Sequence, residues 1–208
     1  MIKVISFDIG GTLIKKPIDS SLCKMLFQYA QVNYELFKEE YRRCFICRNY
    51  DFYSFCEKVK IQNSEIVLRI IDEYYHKPSG IVYDDVYSTL EWLKSIGMKL
   101  ITISNISYCN TKRLKDYGLE KYFIWEFYSC DLGYSKPDIQ IFRYAESCLK
   151  VRPEEILHIG DSLKADFYGA RRAGWNSYLL CRNETNNQRY SSMDGKSINS
   201  LVMLRGIQ

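Results

Sequence analysis

Short apolar runs alternate with long amphipathic stretches along this chain, and the two are unevenly distributed. Residues 2–7, IKVISF, are mostly branched and aromatic side chains that stop at Asp8 and the Gly10–Gly11 pair, the pattern of a buried strand. From about Lys15 to Val82 the period changes. In CKMLFQYA, YELFKEEYRRCFICRNYDFYSFCEKVK and SEIVLRIIDEYY apolar residues recur at three and four spacing, which predicts a block of helices. DDVYSTLEWLKS continues as an amphipathic helix with Gly97 as its stop, and MKLITIS reads as a second buried strand.

Beyond that strand the pattern predicts a helix (TKRLKDYG), a short strand (FIWEFYS), a loop (CDLGYSKPD) and another helix (IQIFRYAESCLK). EEILHIGD is the next strand, ADFYGARRAG the next helix with Gly174 as its cap, and NSYLLC the strand after it. NETNNQRYSSMDGKS is a polar loop, and SINSLVML a final short helix opened by Ser197. Strands alternating with helices predict an α/β fold, a Rossmann-like three-layer core whose parallel sheet is covered on both faces. The expected division is a core of residues 1–14 and 83–208, split after its first strand by a helical cap of residues 15–82.

Composition narrows the class. With 208 residues, 47% hydrophobic and 26% charged, the chain has material for one ordinary domain plus an insertion. A net charge of +4 without a long basic run argues against nucleic acid or a membrane surface as partner. No stretch approaches a membrane span, and the apolar run before Asp8 is too short for a secretory signal. Eight cysteines without an export signal therefore read as reduced thiols, and the expected location is cytoplasmic. Cys44-Phe-Ile-Cys47 reads as two buried thiols one helical turn apart, since a zinc site would need two more ligands, for which only Cys56, His76 and His158 are obvious donors.

The chemistry lies at the strand ends. In an open α/β sheet ligands sit outside the carboxyl ends of the strands, and Asp8, Ser104 and Asp161 each stand at such an end. Lys136 follows another strand through a short loop, and Asp166 lies five residues beyond Asp161. A carboxylate, a hydroxyl, an ammonium and further carboxylates form the inventory of a phosphoryl-transfer site with a carboxylate nucleophile. Clustered carboxylates repel unless a divalent cation lies between them, and Mg²⁺ fits hard oxygen ligands. Ser104, Lys136 and the backbone amides around Asn105 and the Gly10-Gly11-Thr12 loop would hold the phosphoryl oxygens of a small phosphorylated substrate. Singly, each residue has a plainer reading as turn former, helix cap or solvated charge; together, at neighbouring strand ends, they point to one crevice. His158, three residues before Asp161 on a strand, reads as a core histidine.

FDIGGTL, ITISN, SKPDIQIF and LHIGDSLKAD resemble, in order, the four motifs of the haloacid dehalogenase (HAD) superfamily, and the helical block sits where that family inserts its cap. The resemblance implies a hydrolase in which Asp8 is the nucleophile and Ser104 and Lys136 bind the phosphate and the intermediate. It also implies that Asp161 and the Gly10 carbonyl ligate Mg²⁺ with Asp8, and that Asp166 supports Lys136 or the metal. DIGGT also resembles the phosphate loop of actin-like sugar kinases, but those need two large lobes and a second glycine-rich loop, which 208 residues do not provide.

One position departs from the HAD pattern. The usual second aspartate, which protonates the leaving oxygen, is Gly10 here. General acid-base catalysis is worth about 10²- to 10⁴-fold, so its loss bears on the substrate. Four outcomes follow: a substrate with an acidic leaving group, such as an acyl phosphate or phenol ester; an acid supplied by the cap; phosphonatase-like cleavage through a cap lysine; or a fold kept for binding. The cap acids to consider are Tyr34, Tyr41, Tyr50, Tyr53, His76, Asp51 and Glu57, and the lysines are Lys24, Lys38, Lys58 and Lys60. The retained metal carboxylates disfavour dehalogenation.

Overall fold

A computed structural model of the chain describes residues 1–15, 21–76, 80–108, 113–182 and 196–206. The first strand, β1 (Val4–Phe7), is fully buried and ends where the sequence places Asp8. Past the glycine pair the chain turns back on itself, with the Gly11 amide donating to the Ile14 carbonyl at 2.7 Å. A two-residue strand, β2 (Ile14–Lys15), then pairs antiparallel with β3 (Ile81–Val82). This stem has too few residues to show a period of two, so the apolar pattern does not reveal it. It brings the two ends of the helical insert together.

The insert holds α1 (Leu22–Phe27), α2 (Tyr34–Tyr41), a π-helical turn (Arg42–Ile46), α3 (Phe52–Lys58) and α4 (Ser64–His76). Asn33, Asp51 and Asn63 start three of these helices, each carboxyl or amide oxygen accepting a backbone amide three residues on. The apolar spacing has its own centre: Leu26, Phe37, Phe45, Phe55, Val59 and Val67 are wholly buried against one another. Phe45 stands edge-on to Phe55 at 5.2 Å.

The core resumes with α5 (Val86–Ser95) and β4 (Lys99–Ser104), joined through Gly97 at φ +81°. There follow α6 (Arg113–Asp116), β5 (Trp125–Tyr128), α7 (Ser129–Leu132), α8 (Ile139–Leu149) and β6 (Ile156–Gly160). A π-helical turn (Leu163–Tyr168) runs into α9 (Gly169–Arg172), then β7 (Asn176–Leu180) and β8 (Ser197–Ile198). The six strands form one parallel sheet in the order β5-β4-β1-β6-β7-β8. Alternate side chains feed two apolar layers, Val4, Ile101, Ile103 and Ile156 on one face and Ile5, Phe7, Leu100, Leu157 and Ile159 on the other. This is the Rossmann-like α/β core. The order reverses about β1, so the crevice of such a sheet opens at the carboxyl end of β1.

Two local expectations are corrected. Ser197 does not open a helix: it begins β8, because the edge of β7 offers unpaired backbone groups that the Lys196 and Ile198 carbonyls accept at 3.0 and 2.7 Å. The final turns are 3₁₀, Leu201–Gly206, with the Ser200 hydroxyl accepting the Val202 amide. CDLGYSKPD is not all loop, since α7 occupies its start and Gly133 at φ +77° stops it. The polar segment 183–195 and Thr111–Lys112 lie outside the described residues.

Candidate active site

β1, β4 and β6 deliver their ends side by side, and the loop after α7 adds a lysine. Asp8 is fixed through its amide, which donates to the Ile159 carbonyl at 2.9 Å. Its Oδ1 accepts from Ser104 Oγ at 2.9 Å and from Lys136 Nζ at 2.8 Å. Lys136 is buried, and its ammonium also donates to the Ile103 carbonyl at 2.6 Å and pairs with Asp166 Oδ1 at 2.6 Å. Residues 8, 104, 136 and 166 thus meet within direct hydrogen-bond range.

Burial opposes the charge on Lys136, but the carboxylates of Asp166 and Asp8 outweigh it and hold its pKa above the ordinary lysine value. Burial likewise opposes ionisation of Asp166, and Lys136 again prevails, keeping the carboxyl below its usual range. Lys136 and Asp166 therefore form a buried pair charged in both signs. Asp8 donates nothing and keeps its second oxygen, Oδ2, without a protein hydrogen bond among the described residues.

Asp161 follows β6 and is exposed. Oxygens of Asp8, Asp161 and Asp166 lie within 4.8 Å of one another, the one cluster of metal-ligating type among the described residues. Two glycines make room for it. A Cβ on Gly11, whose φ is +88°, would stand 2.1 Å from Asp161 Oδ2, and one on Gly160 would stand 2.2 Å from Asp166 Cγ. Hard oxygen donors packed against glycine in this way fit a small divalent cation. Cys44 and Cys47 are both buried, with the Cys44 thiol near the Asp51 carbonyl and Cys47 accepting from Arg42.

Other predicted residues take different positions. The Asn105 side chain clamps the backbone of Lys136, accepting its amide and donating to its carbonyl, both at 2.7 Å. Thr12 is fully buried, with its hydroxyl unpartnered among the described residues and its carbonyl held by Arg182 at 2.7 and 3.1 Å. Of the cap candidates, Tyr50 donates to the Glu40 carboxylate and carbonyl, and Asp51 is occupied at the start of α3. Lys38 is held charged by Glu35 at 2.7 Å. The side chain of His76 lies outside the described residues.

Sequence reasoning passed over three supports. His158 is wholly buried, as expected of a core histidine, yet its Nε2 sits 3.2 Å from Asp166 and its Nδ1 2.9 Å from Ser6. Burial pushes its pKa down, so it is neutral and orients the carboxylate. The available signal was a serine inside the apolar run IKVISF, since Ser6 and His158 are register partners on adjacent strands. Ser129 accepts the Ile106 amide at 3.1 Å and so shapes the loop after Ser104. Arg182, bidentate to Asp85, ties the loop after β1 to the C-terminal turns.

The profile of the family described as haloacid dehalogenase-like hydrolase matches residues 2–174, which include Asp8, Ser104, Lys136, Asp161 and Asp166. The chain belongs to that family. This hydrolase chain is 31% identical over 124 residues to bovine haloacid dehalogenase-like hydrolase domain-containing protein 3, covering 58% of this chain and 49% of that one. It is 37% identical over 101 residues to glyceraldehyde 3-phosphate phosphatase of Methanopyrus kandleri, covering 48% and 42%. It thus spans about half the length of the curated relatives it matches. Among solved structures, a HAD phosphatase from Thermococcus onnurineus superposes with TM-score 0.69 at 28% identity, covering 99% of this chain and 97% of that one. A 2-haloacid dehalogenase from Pseudomonas syringae shares the fold, with TM-score 0.68 at 22% identity over 100% and 98%.

Proposed function

We propose that this HAD-like hydrolase cleaves a small phosphorylated compound in a Mg²⁺-dependent reaction with Asp8 as nucleophile. The observation that carries the reading is the asymmetry of Asp8. One carboxylate oxygen is fixed by Ser104 and Lys136, while the other faces no protein donor among the described residues. That second oxygen attacks phosphorus, the bond from phosphorus to the leaving oxygen breaks, and the leaving group departs with the bonding pair. Water then cleaves the aspartyl phosphate and regenerates the carboxylate.

Asp8, Asp161 and the Gly10 carbonyl would hold Mg²⁺, with Asp166 supporting Lys136 or the metal, and the ion would neutralise the approach of an anionic phosphate to an anionic carboxylate. Ser104 and Lys136 would donate hydrogen bonds to the phosphoryl oxygens and offset their charge, and the buried Asp166 keeps Lys136 an ammonium throughout. Gly10 gives the leaving oxygen no proton. The favoured substrates therefore have leaving groups that depart as anions, acyl phosphates and phosphate esters of acidic alcohols. The phosphatase names among the relatives, and the fit of the carboxylate cluster to a hard cation, support this reading.

The helical insert serves as a cap over the crevice. Arg42 Nη1 donates to Ser135 Oγ at 3.3 Å, beside Lys136, and Phe45 stacks on Tyr108 with ring centroids 5.5 Å apart. The test is hydrolysis of acetyl phosphate and of an alkyl phosphate with and without Mg²⁺. The reading requires metal-dependent turnover of the first and much slower turnover of the second; inactivity on acetyl phosphate, unaltered by Asp8→Asn, would refute it.

A further inference from the structure

A cleft of about 460 Å³ opens where the insert meets the core, lined by Cys44, Arg48, Tyr50, Asp51, Phe52 and Tyr108. One of its walls, Tyr108, stands four residues after Ser104, at most about 14 Å away along the chain. Most of the polar groups in its wall are already committed. Tyr50 hydroxyl donates to Glu40, the Asp51 carboxylate accepts the amide and hydroxyl of Ser54, and the Cys44 thiol lies against the Asp51 carbonyl.

Arg48 differs. Its guanidinium lies 5.6 Å from the Tyr108 ring centroid and has no carboxylate partner among the described residues. Its backbone is held at φ +53°, a conformation that side-chain-bearing residues seldom adopt, so the turn fixes the direction in which the arginine leaves the chain. A guanidinium without a carboxylate partner among the described residues, in a wall that also carries Phe52 and the Tyr108 ring, is suited to a flat ring bearing an anion, with the ring against the aromatic wall and the anion on the fork.

We infer that this cleft selects the leaving group, and that the substrate is the phosphate monoester of a carboxyl-bearing phenol or similarly acidic planar alcohol, with Arg48 as the specificity determinant. The inference rests on the hydrolase reading and joins two independent observations. Gly10 withholds a proton, which favours a leaving group stable as its anion; the cleft offers a cation and an aromatic wall, which favour a planar group bearing negative charge. In the reaction the ester oxygen departs as a phenolate with the bonding pair and takes its proton from solvent.

The experiment has two readouts, on the wild type and on Arg48→Gly. Glycine suits the positive φ, so folding is not at stake. The first readout is the kcat/KM for 4-carboxyphenyl phosphate divided by that for phenyl phosphate. The second is calorimetric binding of 4-hydroxybenzoate, which carries no phosphate. The ratio is expected to exceed about tenfold in the wild type and to fall toward unity in R48G through KM, with binding weakened by at least about tenfold, the worth of a charge-assisted hydrogen bond. Equal cleavage of both esters by wild type, or an unchanged ratio and affinity in R48G, would overturn the inference and leave the hydrolase standing. Failure to cleave either ester or acetyl phosphate would overturn the hydrolase reading, and the substrate assignment with it.

Discussion

Lys136 and Asp166 form an ion pair at 2.6 Å in which each side chain is only 2% exposed, and the same ammonium reaches Asp8 at 2.8 Å. One buried cation thus serves two acids. Lys136→Met removes it from both and is expected to destabilise the fold by about 3–5 kcal/mol in metal-free buffer. Asp166→Asn leaves Lys136 paired with Asp8 and should cost less. Urea unfolding of the two variants checks the order; a smaller loss for Lys136→Met would contradict the arrangement.

Gly11 and Gly97 both hold positive φ, at +88° and +81°, but only Gly11 faces a neighbour. Alanine at either position meets the backbone penalty of about 1–2 kcal/mol. At Gly11 it also collides with Asp161, so Gly11→Ala should weaken Mg²⁺ affinity by about tenfold or more, the scale of losing a ligand's support. Gly97→Ala should leave that affinity unchanged. Isothermal titration with Mg²⁺ distinguishes them.

Asp85 contributes to the pH dependence outside the strand-end cluster. Burial would raise its pKa, but hydrogen bonds from Arg182, Ser200 and the Leu201 amide prevail and lower it. A carboxyl whose folded pKa is depressed stabilises the fold above its unfolded value, near 3.8, and the contribution fades as pH falls through the folded value. Stability of the wild type should therefore decline more steeply with acidification below about pH 5 than that of Asp85→Asn. Parallel curves from denaturant titrations at several pH values would remove Asp85 from this role.

Much of this was legible in the sequence because strand-length apolar runs and strand-end polar residues coincide. The runs before Asp8, Ser104 and Asp161 specify both a buried parallel sheet and the edge where those side chains gather. The stem of Ile14–Lys15 with Ile81–Val82 was hidden, since two residues carry no period. β8 was hidden because its partner strand lies across a polar segment, so tertiary pairing decided against a local helix signal. Asn105 was anticipated for its backbone, yet its side chain clamps Lys136, and only the fold brings that loop within 2.7 Å. The Ser6–His158 support was hidden because sequence spacing cannot reveal a partner 152 residues away.

The missing proton donor is testable by restoring it. Gly10→Asp should raise turnover of an alkyl phosphate by as much as about 10²-fold, the lower end of what a positioned acid supplies, while acetyl phosphate gains little. A comparable gain on both substrates would mean that the substitution acts through something other than leaving-group protonation.

The account depends above all on Asp8 becoming covalently phosphorylated. The most direct measurement is beryllofluoride trapping in Mg²⁺, read by ¹⁹F NMR on the wild type and on Asp8→Asn. A bound signal that requires both Mg²⁺ and the carboxylate at position 8 is the predicted result. No bound signal in the wild type, or the same signal in Asp8→Asn, would contradict it.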